Sequence, residues 1–268
     1  MALRRRQSSW MFPLLALCLA MPGVSAFGQG AKGSATSDGE AKKPLATHEA
    51  TCRKVTKAPK LDGKLDDDAW KQAELIDRFP SYWAGVDPKS GMKAWLAWDD
   101  EAFYFAATMP DAELKSFGTK RNDYLWNGDV FELFFKPSKE KPAYYEFQVN
   151  PKSVILEYPF PKRGFDVATI AALPPLGFEA VAVAEGTVDK PGDKDRSWTV
   201  EGRMPWSIFT PSGGKPKVGD AWDFALCRYD YGPEGTDPVL MSSAPLKKLS
   251  FHLYEDYGRL LFVDPSKP

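Results

Sequence analysis

Short runs of alternating apolar and polar residues, separated by turn-forming residues, constrain the fold of this chain more than any other sequence feature. The clearest run is AYYEFQVN, residues 143–150, in which Tyr145, Phe147 and Val149 occupy every second position. Successive side chains of a strand point to opposite faces. The alternation therefore predicts a strand with one apolar face on a core and one polar face on water or a ligand.

About ten such strands are predicted, and no amphipathic helix of ordinary length interrupts them. The runs cover residues 49–57, 76–84, 92–98, 102–109, 129–135, 143–150, 153–158, 177–184, 196–204, 222–229 and 259–263. Residues 232–250 are rich in Pro, Gly and Ser, and a loop is predicted there. Many short strands joined by turns are typical of antiparallel sandwiches. We therefore predict an all-β fold, an antiparallel β-sandwich of the immunoglobulin-like or jelly-roll-like kind, with minimal helix.

Glu132 is the only interior charge in the most apolar of these strands, residues 129–135. An acid in such a strand costs free energy unless it has a partner or a function. Trp126 precedes an Asn-Gly turn just before the strand, where the chain does not require a buried ring. We expect Trp126 and Glu132 to form part of a binding site. Packing of Trp126 against residues 110–123 is the alternative.

The first 26 residues have the features of an export signal. They combine three arginines, an apolar run too short for a comfortable membrane span, and small residues before Ala26. Residues 27–46 are small and polar, which is typical of a flexible linker. We therefore predict a signal peptide (1–26), a linker (27–46) and one domain (47–268), exported to the periplasm or extracellular space. An uncleaved N-terminal anchor is the alternative.

The charge of the chain argues against nucleic acid as a partner. Loss of residues 1–26 would remove three arginines and no acid, so the formal charge would change from −1 to −4 (−1 minus 3). A mildly acidic chain without a basic block is not typical of nucleic-acid or anionic-membrane binding. We therefore expect no nucleic-acid partner and no membrane insertion after cleavage of the signal.

Two cysteines, Cys52 and Cys227, follow the predicted signal. In an exported protein an even pair predicts one disulfide. Two separate buried thiols are the alternative, because a disulfide requires a geometry that sequence does not give.

Six segments, in order, resemble a known family. They are LDGKLDDDAW (61–70), WLAWDDEAFYFAATMPD (95–111), WNGDVFELFF (126–135), WTVEGRMPW (198–206), WDFALCRYD (222–230) and YGRLLFV (257–263). Together they resemble a carbohydrate-binding module of family 9, within the DOMON-like superfamily, over roughly residues 50–264. The resemblance implies a β-sandwich, structural calcium, and a glycan or oligosaccharide ligand held between two aromatic rings.

The resemblance assigns the two rings. Trp126 stands where the family has its first stacking tryptophan. The second aromatic normally lies seven residues before a glycine near the C-terminus, and counting back from Gly258 gives Phe251. A phenylalanine still stacks on sugar CH groups, but over a smaller area than tryptophan.

The resemblance also supplies polar candidates. Glu132 matches the sugar-binding acid, Asn150 matches a family asparagine, and Gln148 replaces what is an arginine in one well-studied member. Planar carboxylate and amide groups suit sugar hydroxyls. Arg228 is a further candidate, either as a site donor or as the structural partner of an acid such as Glu132.

Calcium is the cofactor that the resemblance implies. Asp66 and Asp68 precede Trp70 and are candidate calcium ligands. The favoured alternative is that these acids cap a short helical turn, since Asp accepts hydrogen bonds from free backbone amides.

Non-catalytic carbohydrate binding, serving polysaccharide breakdown or uptake, is the function that we predict. Two alternatives stay open. A glycosidase would use a pair of carboxylates, for which Glu132 and Glu201 are the best strand-borne candidates. A DOMON-like electron-transfer domain would hold haem b, with Met109, Met241 and His252 as candidate ligands. The sequence does not favour haem, because it offers no convincing pair of axial ligands.

Overall fold

The computed structural model describes residues 48–233 and 236–266, and within these ranges the fold consists of eleven strands and short helical turns. The strands are β1 (Glu49–Lys54), β2 (Lys93–Trp98), β3 (Ala102–Pro110), β4 (Val130–Lys136), β5 (Tyr144–Val149), β6 (Ile155–Phe160), β7 (Glu179–Glu185), β8 (Ser197–Pro205), β9 (Ala221–Asp230), β10 (Val239–Ser242) and β11 (Gly258–Val263). The α-helices are α1 (Asp68–Gln72) and α2 (Val167–Ala171), and the 3-10 helices are Tyr82–Ala84, Leu125–Asn127, Trp206–Ser212 and Tyr254–Asp256.

All eleven strands belong to one sheet that is nearly closed in a barrel-like shape. The strand order is β6-β5-β4-β9-β11-β1-β2-β3-β8-β7, and β10 is added to β9. The backbone N–H of Ala182 on β7 donates to Ser153 Oγ, in the turn before β6, at 2.8 Å. This bond links the regions of the two edge strands.

The all-β prediction is confirmed, whereas a wholly antiparallel sheet was the wrong expectation. Strand β1 pairs in parallel with β11 on one side and with β2 on the other. The reason is topological, because the first strand inserts beside the last strand of the chain. The division into a two-sheet sandwich stays a prediction.

Three local predictions are also corrected. Residues 76–84 form no regular strand, since Pro80 lacks a backbone N–H, and Ile76 and Ser81 form only isolated bridges. The predicted loop contains β10, a four-residue strand that pairs only with β9. Helix α2 was not predicted, although the Asp166 carboxylate caps it by accepting from the Thr169 N–H at 2.8 Å.

Buried apolar side chains form three clusters. The central core includes Phe131, Phe147 and Phe209, and the third cluster lies under α1 around Trp70. The second cluster, around Phe134, covers the opposite face of β4, β5, β6 and β9. Burial of each such aromatic ring contributes roughly 1.5–3 kcal/mol. Both faces of these strands are therefore covered. The face away from the central core is covered by the second cluster.

The predicted disulfide between Cys52 and Cys227 is not formed. Both residues are free, buried thiols. Cys52 packs in the central core, whereas Cys227 packs in the second cluster on the other face of the sheet. The structure therefore supports the alternative of two separate buried thiols.

The predicted signal peptide and linker, residues 1–46, lie outside the described residues. Among the helices that are described, none has the length and apolar character needed to cross a membrane.

Candidate functional site

A cavity of about 260 Å³ lies on the sheet face that bears the second cluster. Strands β4, β5 and β6 form its floor, α2 borders one side, residues 250–252 border another, and Trp126 completes the wall. Cavities that take small ligands usually have volumes from about 300 Å³ upwards. The cavity is therefore suited to a single ring of sugar size.

Strand register brings the floor residues together. Glu132 on β4 lies opposite Gln148 on β5, and Glu146 lies between Phe134 on β4 and Tyr158 on β6. Residues opposite each other in antiparallel strands share a face. The face assignment predicted from AYYEFQVN is therefore correct. Its polar side chains are nevertheless buried, because the covering segments enclose the cavity.

Two aromatic rings line this cavity from different segments. Trp126 is partly exposed in the 3-10 helix Leu125–Asn127. The Tyr124 ring stacks on it, with the ring centroids 4.8 Å apart and the ring planes at 26° to each other. Phe251 is buried and makes an edge contact with Phe134 at 6.3 Å. Within the described part of the chain the rings of Trp126 and Phe251 do not contact each other. Both rings nevertheless line the same cavity.

Gln148 joins two buried acids at the floor. Its Nε2 donates to Glu132 Oε1 at 2.7 Å and to Glu146 Oε1 at 2.5 Å. A primary amide nitrogen carries two hydrogens, so one nitrogen serves both carboxyl groups. Gln148 Oε1 is buried and has no hydrogen-bond partner among the described residues. The floor therefore presents an amide oxygen and two carboxyl groups to a ligand.

Burial dominates the electrostatics of the acid pair. It raises the pKa of Glu132 well above its ordinary range, and the nearby Glu146 carboxyl raises it further. Burial also raises the pKa of Glu146 to about 8, opposed by the hydrogen bond from Gln148. At pH 7 Glu146 therefore holds its proton.

Sequence analysis missed Glu146 and His252 as cavity residues. Glu146 was assigned to the polar face of its strand, but it was not chosen as a candidate. His252 Nδ1 lies 2.9 Å from the Tyr144 hydroxyl. Burial, together with Arg163, lowers the pKa of His252 to about 4, so its imidazole is neutral at pH 7. The position of Glu146 two residues before Gln148, on one strand face, was the signal that could have identified it.

Asn150 and Arg228 do not line the cavity. Asn150 holds the turn after β5, because its Oδ1 accepts from the backbone N–H of Lys152 and Val154 at 3.0 and 2.9 Å. Arg228 lies opposite Phe131 and therefore on the face of the central core. The expected Arg228–Glu132 pair is wrong for that reason, while a structural role for Arg228 agrees with its place in the fold.

Arg228 lies in a different cluster of acids. It is fully buried and its Nη2 contacts Asp111 at 2.8 Å and Asp230 at 3.0 Å. These two carboxylates and Asp129 have oxygens within 4.8 Å of one another. Burial raises the pKa of Asp129 to about 8 and that of Asp111 to about 6. The guanidinium supplies the positive charge that the acids require.

Asp66 and Asp68 are not part of a cluster of metal-ligating side chains among the described residues, and structural calcium stays a prediction. Asp66 and Asp68 are exposed, and the Asp68 carboxylate pairs with Lys71 at 2.9 Å. Ca²⁺ takes six to eight oxygen ligands. The buried acidic cluster offers three carboxylates, but Arg228 already occupies hydrogen-bonding positions on two of them.

The residues of the two alternative functions are also separated. Glu201 accepts from Trp70 Nε1 at 2.7 Å and lies on a different part of the sheet from Glu132. His252 lines the cavity, whereas Met109 and Met241 are buried in the central core. The structure therefore does not bring together the acid pair or the haem ligands proposed from the sequence.

Solved structures with a similar fold include three chains of low sequence identity. The first is a candidate carbohydrate-binding protein from Bacteroides uniformis, with a TM-score of 0.60 and 15% identity over 81% of this chain and 100% of that one. A carbohydrate-binding module of family 9 from Caldicellulosiruptor kristjanssonii, in complex with cellotriose, has a TM-score of 0.55 and 16% identity over 82% of this chain and 96% of that one. A family 9 module from the same organism in complex with glucose has a TM-score of 0.55 and 16% identity over 82% of this chain and 98% of that one.

The family comparison covers most of the chain. No curated protein gives a significant match. The model of the family described as "Carbohydrate family 9 binding domain-like" matches residues 61–264, which contain every strand from β2 to β11 and the whole cavity. The DOMON-like superfamily stays a prediction. The chain belongs to the carbohydrate family 9 binding domain-like family.

Proposed function

We propose that this protein binds a carbohydrate without catalysing its cleavage. The observation that carries the proposal is the cavity between Trp126 and Phe251 with polar groups at its floor. Aromatic faces pack on the CH groups of a sugar ring, while carboxyl and amide groups bond its hydroxyls. The family match, and the modules that bind cellotriose and glucose, support the same class of ligand.

Glycoside hydrolysis is the second candidate, because Glu132 and Glu146 line one cavity. Catalytic carboxyl groups must flank the scissile bond, one on each side. Glu132 and Glu146 instead lie side by side on adjacent strands and bond the same Gln148 nitrogen. This arrangement favours binding over hydrolysis.

Export and a role in polysaccharide breakdown or uptake complete the proposal. The basic and apolar character of residues 1–26 supports export. N-terminal sequencing of the protein recovered from a cell fractionation tests it. A mature chain beginning at residue 27 outside the cytoplasm is expected, and an intact N-terminus in the cytoplasm contradicts it.

Calorimetry with glucose, cellobiose and a glycan panel tests the binding proposal. Trp126→Ala removes the partly exposed ring, and we expect at least tenfold weaker binding, about 1.4 kcal/mol. Trp95→Ala is the matched control, because Trp95 packs against the third cluster under α1. Unchanged affinity of Trp126→Ala for a glycan that the wild type binds would place the site elsewhere. Glycan hydrolysis that Glu132→Gln abolishes would favour an enzyme.

A further inference from the structure

The floor of the cavity presents acceptor oxygens that no donor of the described residues occupies. Glu132 and Glu146 bond only to Gln148 Nε2 within the described residues, which leaves acceptor capacity on both carboxyl groups. Gln148 also lines the cavity, and its Oε1 is buried without a hydrogen-bond partner among the described residues. An unsatisfied buried acceptor of this kind costs free energy until a donor reaches it.

Among the described residues, no arginine or lysine lines this cavity and no cation forms a salt bridge with Glu132 or Glu146. Burial raises the pKa of the surrounding phenols and thiol and lowers that of the imidazole, so all are neutral near pH 7. These groups are Tyr144, Tyr158, Cys227, Tyr229, His252 and Tyr257.

The described cations near these residues contact other groups: Lys136 Nζ lies over the Tyr254 ring at 4.9 Å. Arg163 is paired with Glu255 and lies over the Tyr254 ring at 4.0 Å. Arg121 is paired with Glu157 at 2.9 Å. The acid pair therefore has no positive partner of its own.

An ammonium group complements this site better than a hydroxyl does. An ammonium carries three N–H donors and a positive charge, whereas a hydroxyl has one O–H donor. Three side chains with acceptor oxygens line the floor, and a carboxyl group that ionises there requires a cation, because a buried unpaired charge is costly. We propose that the cavity selects an amino sugar, with its free ammonium group held by Glu132, Glu146 and Gln148 Oε1. This inference rests on the carbohydrate binding proposed above and names the class of sugar.

Binding of the ammonium group should release a proton. Burial raises the pKa of Glu146 to about 8, so its carboxyl is protonated at pH 6.5 in the free protein. When the cation enters, the O–H proton leaves to the solvent and the carboxylate accepts an N–H···O bond. One positive charge enters, one negative charge forms, and no covalent bond between heavy atoms changes.

Titration calorimetry of the protein at pH 6.5 tests the inference. Glucosamine is compared with glucose and with N-acetylglucosamine, which keeps the nitrogen but lacks the charge. Each titration is run in two buffers of different ionisation enthalpy, which counts the protons released. We expect glucosamine to bind about tenfold tighter than glucose, with release of about one proton, and neither neutral sugar to release one.

Variants assign the effect to the floor. Glu146→Gln should abolish both the preference for glucosamine and the proton release, and thermal unfolding verifies that the variant is folded. Trp95→Ala should keep both. Binding of glucose as tight as that of glucosamine, without proton release, overturns the inference and leaves carbohydrate binding intact. Failure of every sugar in the panel to bind overturns the proposed function as well.

Discussion

Replacement of Glu146 by glutamine should stabilise the protein at neutral pH and leave its stability unchanged at pH 4. The folded state raises the pKa of this carboxyl from 4.5 to about 8, with burial as the largest cause. Between these two values the folded chain binds a proton that the unfolded chain has lost. The free energy of unfolding that depends on this carboxyl is therefore highest below pH 4.5, and it falls as the pH rises towards 8.

The magnitude follows from the same pKa values. Each pKa unit corresponds to about 1.4 kcal/mol, so a rise from pH 4.5 to 7 removes about 3 kcal/mol of stability through this group alone. The partner carboxyl of Glu132 is coupled to it, so about 2–3 kcal/mol is the gain expected for Glu146→Gln at pH 7. A glutamine keeps the size and the oxygen that accepts from Gln148.

Urea unfolding followed by tryptophan fluorescence at pH 4, 5.5, 7 and 8 measures the difference. Glu140→Gln is the control, since Glu140 is exposed in the turn before β5. The gain of Glu146→Gln should grow with pH, while that of Glu140→Gln stays near zero. A constant difference at all pH values, or a variant less stable than wild type at pH 7, would falsify the assignment of a buried proton to Glu146.

Three further outcomes concern the sheet and the acidic cluster. Arg228→Met should destabilise the protein by about 3–5 kcal/mol at pH 7 in urea unfolding, because it leaves buried acids without a cation. This decrease in the free energy of unfolding should become smaller as the pH falls and the carboxylates protonate. A decrease below about 1 kcal/mol at pH 7 contradicts this role. Excess EDTA should leave the midpoint of thermal unfolding unchanged, since the guanidinium already neutralises the cluster; a lower midpoint that calcium restores would reveal a metal site. Gly202→Ala should cost about 1–3 kcal/mol by calorimetry, because its Cβ would lie 2.2 Å from Phe105, and wild-type stability would show that the ring moves aside.

Much of the fold could be predicted because most strands carry a local signal. The run at residues 143–150 corresponds to β5, and the run at 222–229 corresponds to β9. The parallel pairing of β1 carries no such signal, since it depends on a strand at the other end of the chain. The four residues of β10 are too few to show a period.

The candidate site was predicted in part, from the alternation of β5 and from the family resemblance. Trp126, Glu132, Gln148 and Phe251 do line one cavity. Arg228 was misplaced because side-chain direction alternates along the strand, and the register with β4 decides which face it takes. The closeness of Glu146 to Glu132 depends on the pairing of two strands, which residue type alone does not give.

The position of β1 has a consequence for the order in which the chain can be completed. Ala50 on β1 pairs with Leu260 on β11. A further 210 residues (260 minus 50) must therefore be synthesised after Ala50 before this partner exists. Until then β1 and the adjoining edge of β9 have no partner at this position, and long-range pairings of this kind form slowly. The sheet therefore cannot close until β11 has been synthesised. Before that point the unpaired strand edges are sites of aggregation.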